Sequence, residues 1–279
     1  MRPNLLMTII LPLYISCESV EYWKEAPPSR LKTFSSTPEK RVAETIKDIA
    51  TPSGFTRTPA NDKSFAAWLR EVHLKKDRRV YLYNGNLKAN QSAQFAVLDI
   101  PVGHKDLQQC ADAVMRMRSQ FLYDHKRYNE IWFADNTGKK YRYSISSGEP
   151  FGHYLEKVYS YCGTSSLAKQ LKKRSFHDMQ IGDVLIRGGS PGHAVLVMDM
   201  AVNRDGKKIY LLAQSYMPAQ DIHILQNPRN NASNGRRSTV DRAGSETFSH
   251  DLSPWYEVND KELIYTPEWV FSTKELKTW

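Results

Sequence analysis

The feature that most constrains the fold is a pair of apolar segments joined by a turn, between residues 193 and 214. His193 opens the apolar run 194–200, residues 203–206 (Asn-Arg-Asp-Gly) favour a turn, and residues 208–214 form a second apolar run. Two such runs around a turn of this composition predict an antiparallel hairpin. Any fold for this chain must therefore place its other elements around an antiparallel pair of strands.

The clearest helix pattern precedes this hairpin. Asp106 and Gln109 have the spacing of a capping box at a helix N-terminus. Apolar residues then recur at steps of three and four, at Leu107, Cys110, Val114, Met117 and Phe121. This stripe predicts a helix that buries one face, with Cys110 in its first turn.

Helix and strand patterns are mixed along the rest of the chain. Residues 95–100 and 130–144 are typical of strands, and residues 154–171 are typical of one helix containing Cys162. No later segment has the composition of a linker between domains. The sequence therefore predicts a single α+β domain over residues 42–279, with an antiparallel sheet packed on a helix that carries a cysteine at its N-terminus.

The first residues have the pattern of an export signal. Arg2 precedes the apolar stretch 5–15, and Ser16 is a small residue directly before Cys17. This pattern predicts that residues 1–16 are a lipoprotein signal peptide and that Cys17 carries the lipid. The alternative is an ordinary secretory peptide in which Cys17 has no special role.

Composition and charge are typical of a protein held in the cell envelope. Residues 17–41 are polar and rich in Pro, Ser and Lys, which predicts a tether. The formal net charge is +9, and no motif that reads nucleic acid accompanies it. We therefore expect an exported protein, lipid-anchored in the bacterial envelope at the outer membrane, with peptidoglycan or another anionic polymer as its partner and not nucleic acid. A basic surface that contacts only solvent is the alternative.

Two cysteines remain if Cys17 is lipidated. Cys110 and Cys162 form either one disulfide or two separate thiols, and a disulfide would remove Cys110 from catalysis. The histidines show no paired metal-ligand spacing, so we expect neither a metal nor another cofactor.

Cys110, His193 and Gln214 have the residue types of a nucleophile, its base and a group that orients the base. The free N–H groups and the dipole at a helix start stabilise a thiolate. A neighbouring imidazole can take the thiol proton if a third polar group holds its ring. Each residue also has a structural alternative: a buried core cysteine, a structural histidine and a satisfied buried amide.

The hairpin geometry brings two of these residues together. If residues 203–206 form the loop, Val202 pairs with Lys207. His193 and Gln214 are then diagonal neighbours on one face of the sheet, about 7–8 Å apart, which is within reach of a long amide and an imidazole.

Three strings in the second half carry a resemblance: Gly182-Asp-Val-Leu-Ile, Pro191-Gly-His193-Ala-Val-Leu-Val and Leu211-Leu-Ala-Gln-Ser215. They are similar to the second half of papain-like amidases of the CHAP and NlpC type. The resemblance implies a papain-like core over about residues 100–220, in which Cys110 attacks, His193 acts as base and Gln214 orients the imidazole. Enzymes of this type cleave amide bonds of bacterial peptidoglycan.

A closer resemblance extends over nearly the whole chain after residue 41. It rests on the strings Leu107-Gln-Gln-Cys-Ala-Asp-Ala-Val114, Gly188-Gly-Ser-Pro-Gly-His-Ala194, Leu211-Leu-Ala-Gln-Ser-Tyr-Met-Pro-Ala-Gln220, Ser253-Pro-Trp-Tyr256 and Thr266-Pro-Glu-Trp269. These strings resemble a family of Gram-negative lipoproteins classified as a domain of unknown function. The resemblance implies kinship and carries no reaction with it.

The expected function is that of a cysteine amidase or peptidase of the cell envelope, acting on amide bonds of the peptidoglycan type. The alternative is a non-catalytic lipoprotein that binds an envelope polymer or a partner on the same scaffold. Candidates for a substrate groove are Gln108, Ser190, Trp255 and Tyr256, and Gln108 or Gln109 is the candidate side-chain donor to an oxyanion.

Overall fold

The predicted hairpin lies at the centre of the main sheet in this computed structural model. Its strands are β7, His193–Asn203, and β8, Lys208–Gln214, which pair antiparallel. Every residue from His193 to Ala201 is buried. Such a long buried pair requires apolar cover on both faces, and this sets the layout of the domain.

The other strands are short. Their bounds are β1 Phe55–Arg57, β2 Gln94–Val97, β3 Trp132–Ala134, β4 Lys140–Arg142, β5 Lys172–Lys173, β6 Val184–Arg187, β9 His223–Leu225, β10 Thr239–Val240, β11 Glu246–Thr247, β12 Tyr256–Glu257, β13 Leu263–Tyr265, β14 Val270–Ser272 and β15 Leu276–Thr278. Within the described residues, nine strands form the main sheet in the order β2-β9-β8-β7-β6-β15-β5, with β1 beside β7 and β12 beside β8. The pairs β3–β4, β10–β11 and β13–β14 are separate antiparallel hairpins.

The helices are fewer than the strands. Their bounds are α1 Phe65–Arg70, α2 Cys110–Asp124, α3 Phe151–Tyr161 and α4 Thr164–Gln170, and single 3-10 turns lie at Ile46–Asp48, Tyr128–Glu130, Ile145–Ser147, Phe176–Asp178 and Thr273–Glu275. The expected α+β class and the antiparallel sheet are confirmed. Since α2 contacts β7, the expected packing of the cysteine-bearing helix on the sheet is also present.

The structure describes residues 43–228, 239–240, 246–247, 254–259 and 261–279. They belong to a compact unit, Arg41–Trp279. The predictions for the signal peptide 1–16, for the lipidated Cys17 and for the tether 17–41 lie outside the described residues. Inside them, no helix combines the length and the apolar character needed to cross a bilayer.

Two apolar clusters cover the two faces of β7. Ala194 and Leu196 pack in the cluster that includes the buried face of α2, whereas Val195 and Val197 pack with Phe271 in a second cluster on the other face. The period of two along the strand thus divides the run between the clusters.

The turn between β7 and β8 is one residue longer than the sequence predicts. Val202 pairs with Lys208 and not with Lys207. The reason is local, because Asn203 Oδ1 accepts the backbone N–H groups of Asp205 and Lys207 and draws Lys207 into the turn.

A β-bulge between Val197 and Asp199 compensates for the longer turn. Beyond the bulge, Leu196 pairs with Ala213, which is the register predicted for this end of the hairpin. The predicted pairing is therefore wrong at the turn and right at the end where β7 begins.

The helix α2 begins at Cys110, and the prediction that Asp106 caps it is wrong. Gln109 is the residue before the first turn, and its N–H donates to Asp112 Oδ2 at 3.0 Å. The Asp106 carboxylate instead accepts the backbone N–H of Ala219 at 2.6 Å. Competition from this long-range hydrogen bond removes Asp106 from the helix and leaves Cys110 as the first helical residue.

The predicted helix 154–171 is two helices. α3 ends at Tyr161 and α4 begins at Thr164. Cys162 (φ −109, ψ 148) and Gly163 (φ −157, ψ −164) are extended. The helical hydrogen-bond ladder is therefore interrupted at these two residues, between α3 and α4.

Candidate active site

Cys110 and His193 line the same cavity. It has a volume of about 350 Å³ and opens between the start of α2, the loop ahead of β7 and the segment after β8. Residues of these three segments, of the end of α3 and the start of α4, and of the segment ahead of β14 form its wall: Gln109, Ala111, Asp112, Tyr159, Cys162, Gly163, Thr164, Gly189, Ser190, Pro191, Gly192, Tyr216, Met217 and Trp269. The cavity thus joins the first residue of a helix to the first residue of a strand.

The start of α2 holds Cys110 beside the sheet. The Ser215 hydroxyl, one residue after β8, donates to the Gln108 carbonyl oxygen at 2.8 Å. This hydrogen bond ties the chain entering α2 to the end of the strand that carries Gln214. The nucleophile candidate and the group proposed to orient its base are therefore anchored to the same point.

The sulfur of Cys110 lies among backbone donors. The N–H groups of Cys110, Ala111 and Ala194 are directed at it and favour a thiolate. Burial opposes them and is the larger effect, and the Asp112 carboxylate acts in the same sense as burial. Together they raise the pKa of Cys110 to about 11, so the side chain is a thiol at neutral pH.

His193 and Gln214 are in direct contact. His193 Nε2 lies 2.8 Å from Gln214 Oε1, and both side chains are buried. The structure thus brings together the two residues that the hairpin geometry predicts to be neighbours, and it joins them by a hydrogen bond.

A buried ion pair lies behind Gln214. Gln214 Nε2 donates to Glu268 Oε2 at 2.7 Å, and Lys88 Nζ lies 2.6 Å from the same oxygen. The Lys88 ammonium is almost fully buried, and burial lowers its pKa against the opposing effect of Glu268. Sequence reasoning missed both residues.

His223 provides a second anchor for the Gln214 amide. Its Nδ1 lies 2.9 Å from the Asp221 carbonyl oxygen, which can only accept, so Nδ1 carries the proton. His223 Nε2 is then an acceptor, and it lies 3.4 Å from Gln214 Nε2. The amide nitrogen therefore faces both His223 and Glu268, and the amide oxygen faces His193.

Aromatic rings surround the imidazole of His193. Its centroid lies 4.8 Å from that of Tyr216, 5.4 Å from that of Trp269 and 5.7 Å from that of Phe271. The resulting burial lowers the pKa of His193 to about 4, although the hydrogen bond to Gln214 opposes the shift. The ring is neutral at pH 7 and can accept a proton.

The loop that delivers His193 is tightly packed at Gly192. A Cβ atom at Gly192 would lie 2.5 Å from the Gly189 carbonyl oxygen, 2.5 Å from Thr164 Oγ1 and 2.8 Å from the Arg187 carbonyl oxygen. Because two of these atoms belong to the backbone, the residue before His193 has to be glycine.

Cys162 lies in the same cavity, as a second free thiol. Both Cys110 and Cys162 are buried and unbridged, which decides between the two alternatives left by the sequence. Cys162 lies between the C-terminus of α3 and the N-terminus of α4, whose dipoles act on a thiolate in opposite senses. Burial raises its pKa to about 12, and no surrounding N–H groups oppose the shift.

The groove candidates are divided among three places. Ser190 lines the cavity with Cys110 and His193. Gln108 is buried and lines a neighbouring cavity, not this one. Trp255 and Tyr256 are core residues whose polar atoms donate to the carbonyl oxygens of Ala50 and Gln226, so their assignment to the groove was wrong.

Comparison with known families gives a family and no activity. A family model described as "Domain of unknown function (4846)" matches residues 46–149 and 144–236, which is more than half of the chain. The chain belongs to this family. The expected kinship with a family of unknown function is thereby confirmed. No curated protein and no solved structure matches the chain.

The matched region of the family contains Cys110, His193 and Gln214, whereas Glu268 lies beyond it. One signal for Glu268 was present in the sequence, because it stands in the string 266–269 that carried the closer resemblance. We find no comparable sequence signal for Lys88.

Asp112 is a third residue that the sequence reasoning did not single out. It lines the cavity and is buried, and its Oδ1 has no hydrogen-bond partner. Burial raises the pKa of this carboxyl well above its usual range. Within the described part of the chain, no three histidine, cysteine or acidic side chains are grouped as they would be to hold a metal ion.

Proposed function

We propose that the protein is a papain-like cysteine amidase in which Cys110 is the nucleophile and His193 the base. The observation that carries the proposal is the shared cavity, into which a helix start brings the thiol and a strand start brings a neutral imidazole. The contact between His193 and Gln214 supports it, because a base needs a fixed ring to accept a proton in one direction.

The reaction divides into two transfers. In the first, the Cys110 thiol gives its proton to His193 Nδ1 while the sulfur adds to the amide carbonyl carbon. The C–N bond then breaks, the leaving amine takes the proton from the imidazolium, and a thioester remains on Cys110. In the second, His193 deprotonates water, the hydroxide adds to the thioester, and the C–S bond breaks as the sulfur recovers the proton.

The start of α2 supplies the donors for the negative oxygen that forms in each step. The N–H groups of Cys110 and Ala111 have no partner within the helix, because the first turn has no preceding carbonyl groups. Donors of this kind, fixed before the reaction, stabilise the charge that develops in the transition state.

The proposed resting state is a neutral pair. The pKa of the thiol is raised and that of the imidazole is lowered, so proton transfer from Cys110 to His193 is uphill until substrate charge develops near the N–H groups. The proposed enzyme is therefore slow toward unselective thiol reagents, and it requires a substrate that fills the cavity.

The proposed substrate is an amide of the peptidoglycan type in the cell envelope. We base this on the signal-like residues 1–16, the cysteine at position 17 and the net charge of +9, which suits an anionic polymer. In this proposal Cys17 carries lipid and residues 17–41 hold the domain away from the membrane.

One observation favours a second candidate function, a non-catalytic domain that binds an envelope polymer. Cys110 is only 7% exposed, and its pKa of about 11 is that of an unreactive thiol. On this alternative the cavity holds a chain end of the polymer, and no bond is broken.

The deciding experiment compares Cys110→Ala with Cys162→Ala. Both remove a buried thiol from the same cavity, so they are matched for the change in packing. We expect purified peptidoglycan to release soluble peptides with the native chain and with Cys162→Ala, and none with Cys110→Ala. Equal release by both variants excludes Cys110 as nucleophile. If no variant releases products but all of them sediment with peptidoglycan, the binding alternative holds.

The anchor has its own test. We expect the native chain in the membrane fraction and Cys17→Ser in the soluble envelope fraction. Retention of Cys17→Ser in membranes would exclude lipidation as the anchor.

A further inference from the structure

A second cavity of about 190 Å³ adjoins the one that contains Cys110, and it is lined by polar side chains from three segments. Gln108 and Arg116 come from the start and the middle of the α2 region, His153 and Tyr159 come from α3, and Lys105 comes from the segment ahead of α2. Tyr159 lines both cavities, so it forms part of the wall between them.

Two buried nitrogen atoms at this cavity, Gln108 Nε2 and Arg116 Nε, have no hydrogen-bond partner. Burial raises the pKa of Tyr159, and the Arg116 guanidinium, within hydrogen-bonding reach of the Tyr159 hydroxyl, opposes that shift. Gln108 is only 1% exposed. Buried polar groups are almost always paired in proteins, so two at one cavity mark a place where a polar ligand group would satisfy them.

The unpaired groups are donors. Gln108 Nε2 and Arg116 Nε can only donate. Arg116 Nη1 already donates to Gln108 Oε1 at 3.1 Å, which fixes the guanidinium and turns the amide nitrogen of Gln108 away from it. The ligand group must therefore supply acceptors.

The charge at the cavity is positive. The other acid and base that face it, Glu156 and Lys105, form an ion pair with each other at 2.8 Å. Among the residues that the structure describes, no carboxylate forms an ion pair with Arg116. An anionic acceptor with two oxygens, which matches the planar donors of a guanidinium, is the favoured occupant.

We propose that this cavity is a subsite that binds a carboxylate of the substrate. The deduction rests on the proposed amidase function, since the subsite lies beside Cys110. Gln108 and Cys110 are two positions apart, and two residues span at most about 7 Å. The carboxylate is therefore on the residue that bears the scissile amide or on the next one. The substrate class is an acidic peptide or acyl amide.

The test uses two probes that differ only in charge. They are the succinyl amide of a fluorogenic aminocoumarin and its carboxamide analogue, in which the free carboxylate is a neutral amide. With the native full chain, we expect kcat/KM to be about 10- to 100-fold higher for the succinyl probe, in the range of a charge-assisted hydrogen bond. If both probes are turned over equally and the turnover depends on Cys110, the proposed carboxylate subsite is wrong and the proposed amidase function is retained.

Binding is measured without turnover. Succinate, added to the Cys110→Ala full chain, is expected to shift the NMR signals of the Gln108 side-chain amide and Arg116 Nε–H, whereas succinamide is not. Arg116→Gln should weaken succinate binding at least tenfold. Arg127→Gln removes an exposed arginine just beyond the end of the same helix and should change binding less than twofold.

A second variant, Gln108→Glu, tests the subsite independently in case Arg116→Gln fails to fold. Gln108→Glu keeps the size of the side chain and puts a competing carboxylate beside Arg116, so it should abolish succinate binding in a chain with a native unfolding temperature. Succinate shifts that persist in Gln108→Glu and Arg116→Gln contradict the proposal. Succinate binding without turnover of either probe supports the proposed subsite and excludes the proposed amidase function.

Discussion

Gln214 determines which nitrogen of His193 carries the proton. Its amide nitrogen is engaged by Glu268 and His223, so its oxygen must face His193 Nε2 and accept a hydrogen from it. The lone pair of the imidazole is left on Nδ1. A histidine used as a base needs this choice to be made in advance, because the wrong tautomer has its proton where the thiol proton must arrive.

The first prediction concerns the ion pair behind Gln214. Glu268→Gln leaves the Lys88 ammonium buried without a counter-charge, so we expect a loss of about 3–5 kcal/mol in the free energy of unfolding. The double variant Lys88→Met, Glu268→Gln should lose less, because it has no buried unpaired charge. Urea unfolding measures both, and a double variant less stable than the single one would contradict this account.

A variant of Gln214 tests the orientation of the imidazole. In the native chain we expect the nitrogen NMR shifts of His193 to report a proton on Nε2. Gln214→Leu removes the acceptor, and we expect the Nε2–H preference to disappear. A tautomer that does not change in Gln214→Leu would show that another group sets it.

The second prediction concerns the reactivity of Cys110. A thiol with a pKa near 11 should be alkylated by iodoacetamide at a rate that rises about tenfold per pH unit from pH 7 upward. Asp112→Asn removes a negative charge near the sulfur, so the pKa of Cys110 should fall and the rate at pH 8 should rise. The measurement uses a Cys17→Ser, Cys162→Ala background, in which Cys110 is the only cysteine. A rate that is flat between pH 7 and 9 would mean that the thiolate is already formed.

The third prediction concerns the loop before His193. Gly192→Ala places a methyl group against two backbone oxygens, and we expect a loss of about 1–3 kcal/mol or more together with loss of turnover. Gly152→Ala is the control, because its added methyl group contacts nothing within 4 Å and it lies in α3. Its unfolding temperature should stay the same or rise. Equal unfolding temperatures for the two variants would refute the steric argument.

The fourth prediction concerns acid. Burial lowers the pKa of His193 to about 4 and that of His223 to about 3, whereas both have a pKa near 6.5 when unfolded. Below pH 6.5 the unfolded chain binds protons that the folded chain does not, so stability falls as the pH decreases toward 4. Each histidine contributes a slope of up to about 1.4 kcal/mol per pH unit. His223→Gln should show a shallower decline between pH 6 and 4 in chemical unfolding, and an unchanged slope would contradict the assignment.

Local patterns were enough to predict the hairpin, the helix that carries Cys110 and the contact between His193 and Gln214. Each depends on residues close in sequence or paired across one turn, where the period of the apolar residues fixes the facing side. The cap of α2 was missed because the carboxylate of Asp106 bonds to Ala219, far along the chain.

Long-range contacts account for the other differences. Glu268 is 54 positions from Gln214, and the surrounding string is typical of a turn with an aromatic residue, so no periodicity indicates that a carboxylate lies behind the site. Trp255 is the opposite case, in which the sequence suggested a site residue and the structure shows a core residue. A tryptophan after a proline is compatible with a groove or with a core, and only the packing of β12 on β8 decides for the core.

The bulge in β7 makes the two ends of the hairpin independent in register. Since successive side chains of a strand alternate between faces, a residue removed from β7 outside the bulge would present the imidazole on the wrong side of the sheet, whereas a residue removed at the bulge would leave a regular ladder. The extra residue at the bulge offsets the extra residue in the turn, so His193 and Gln214 have the same register as in a hairpin with a four-residue turn and no bulge.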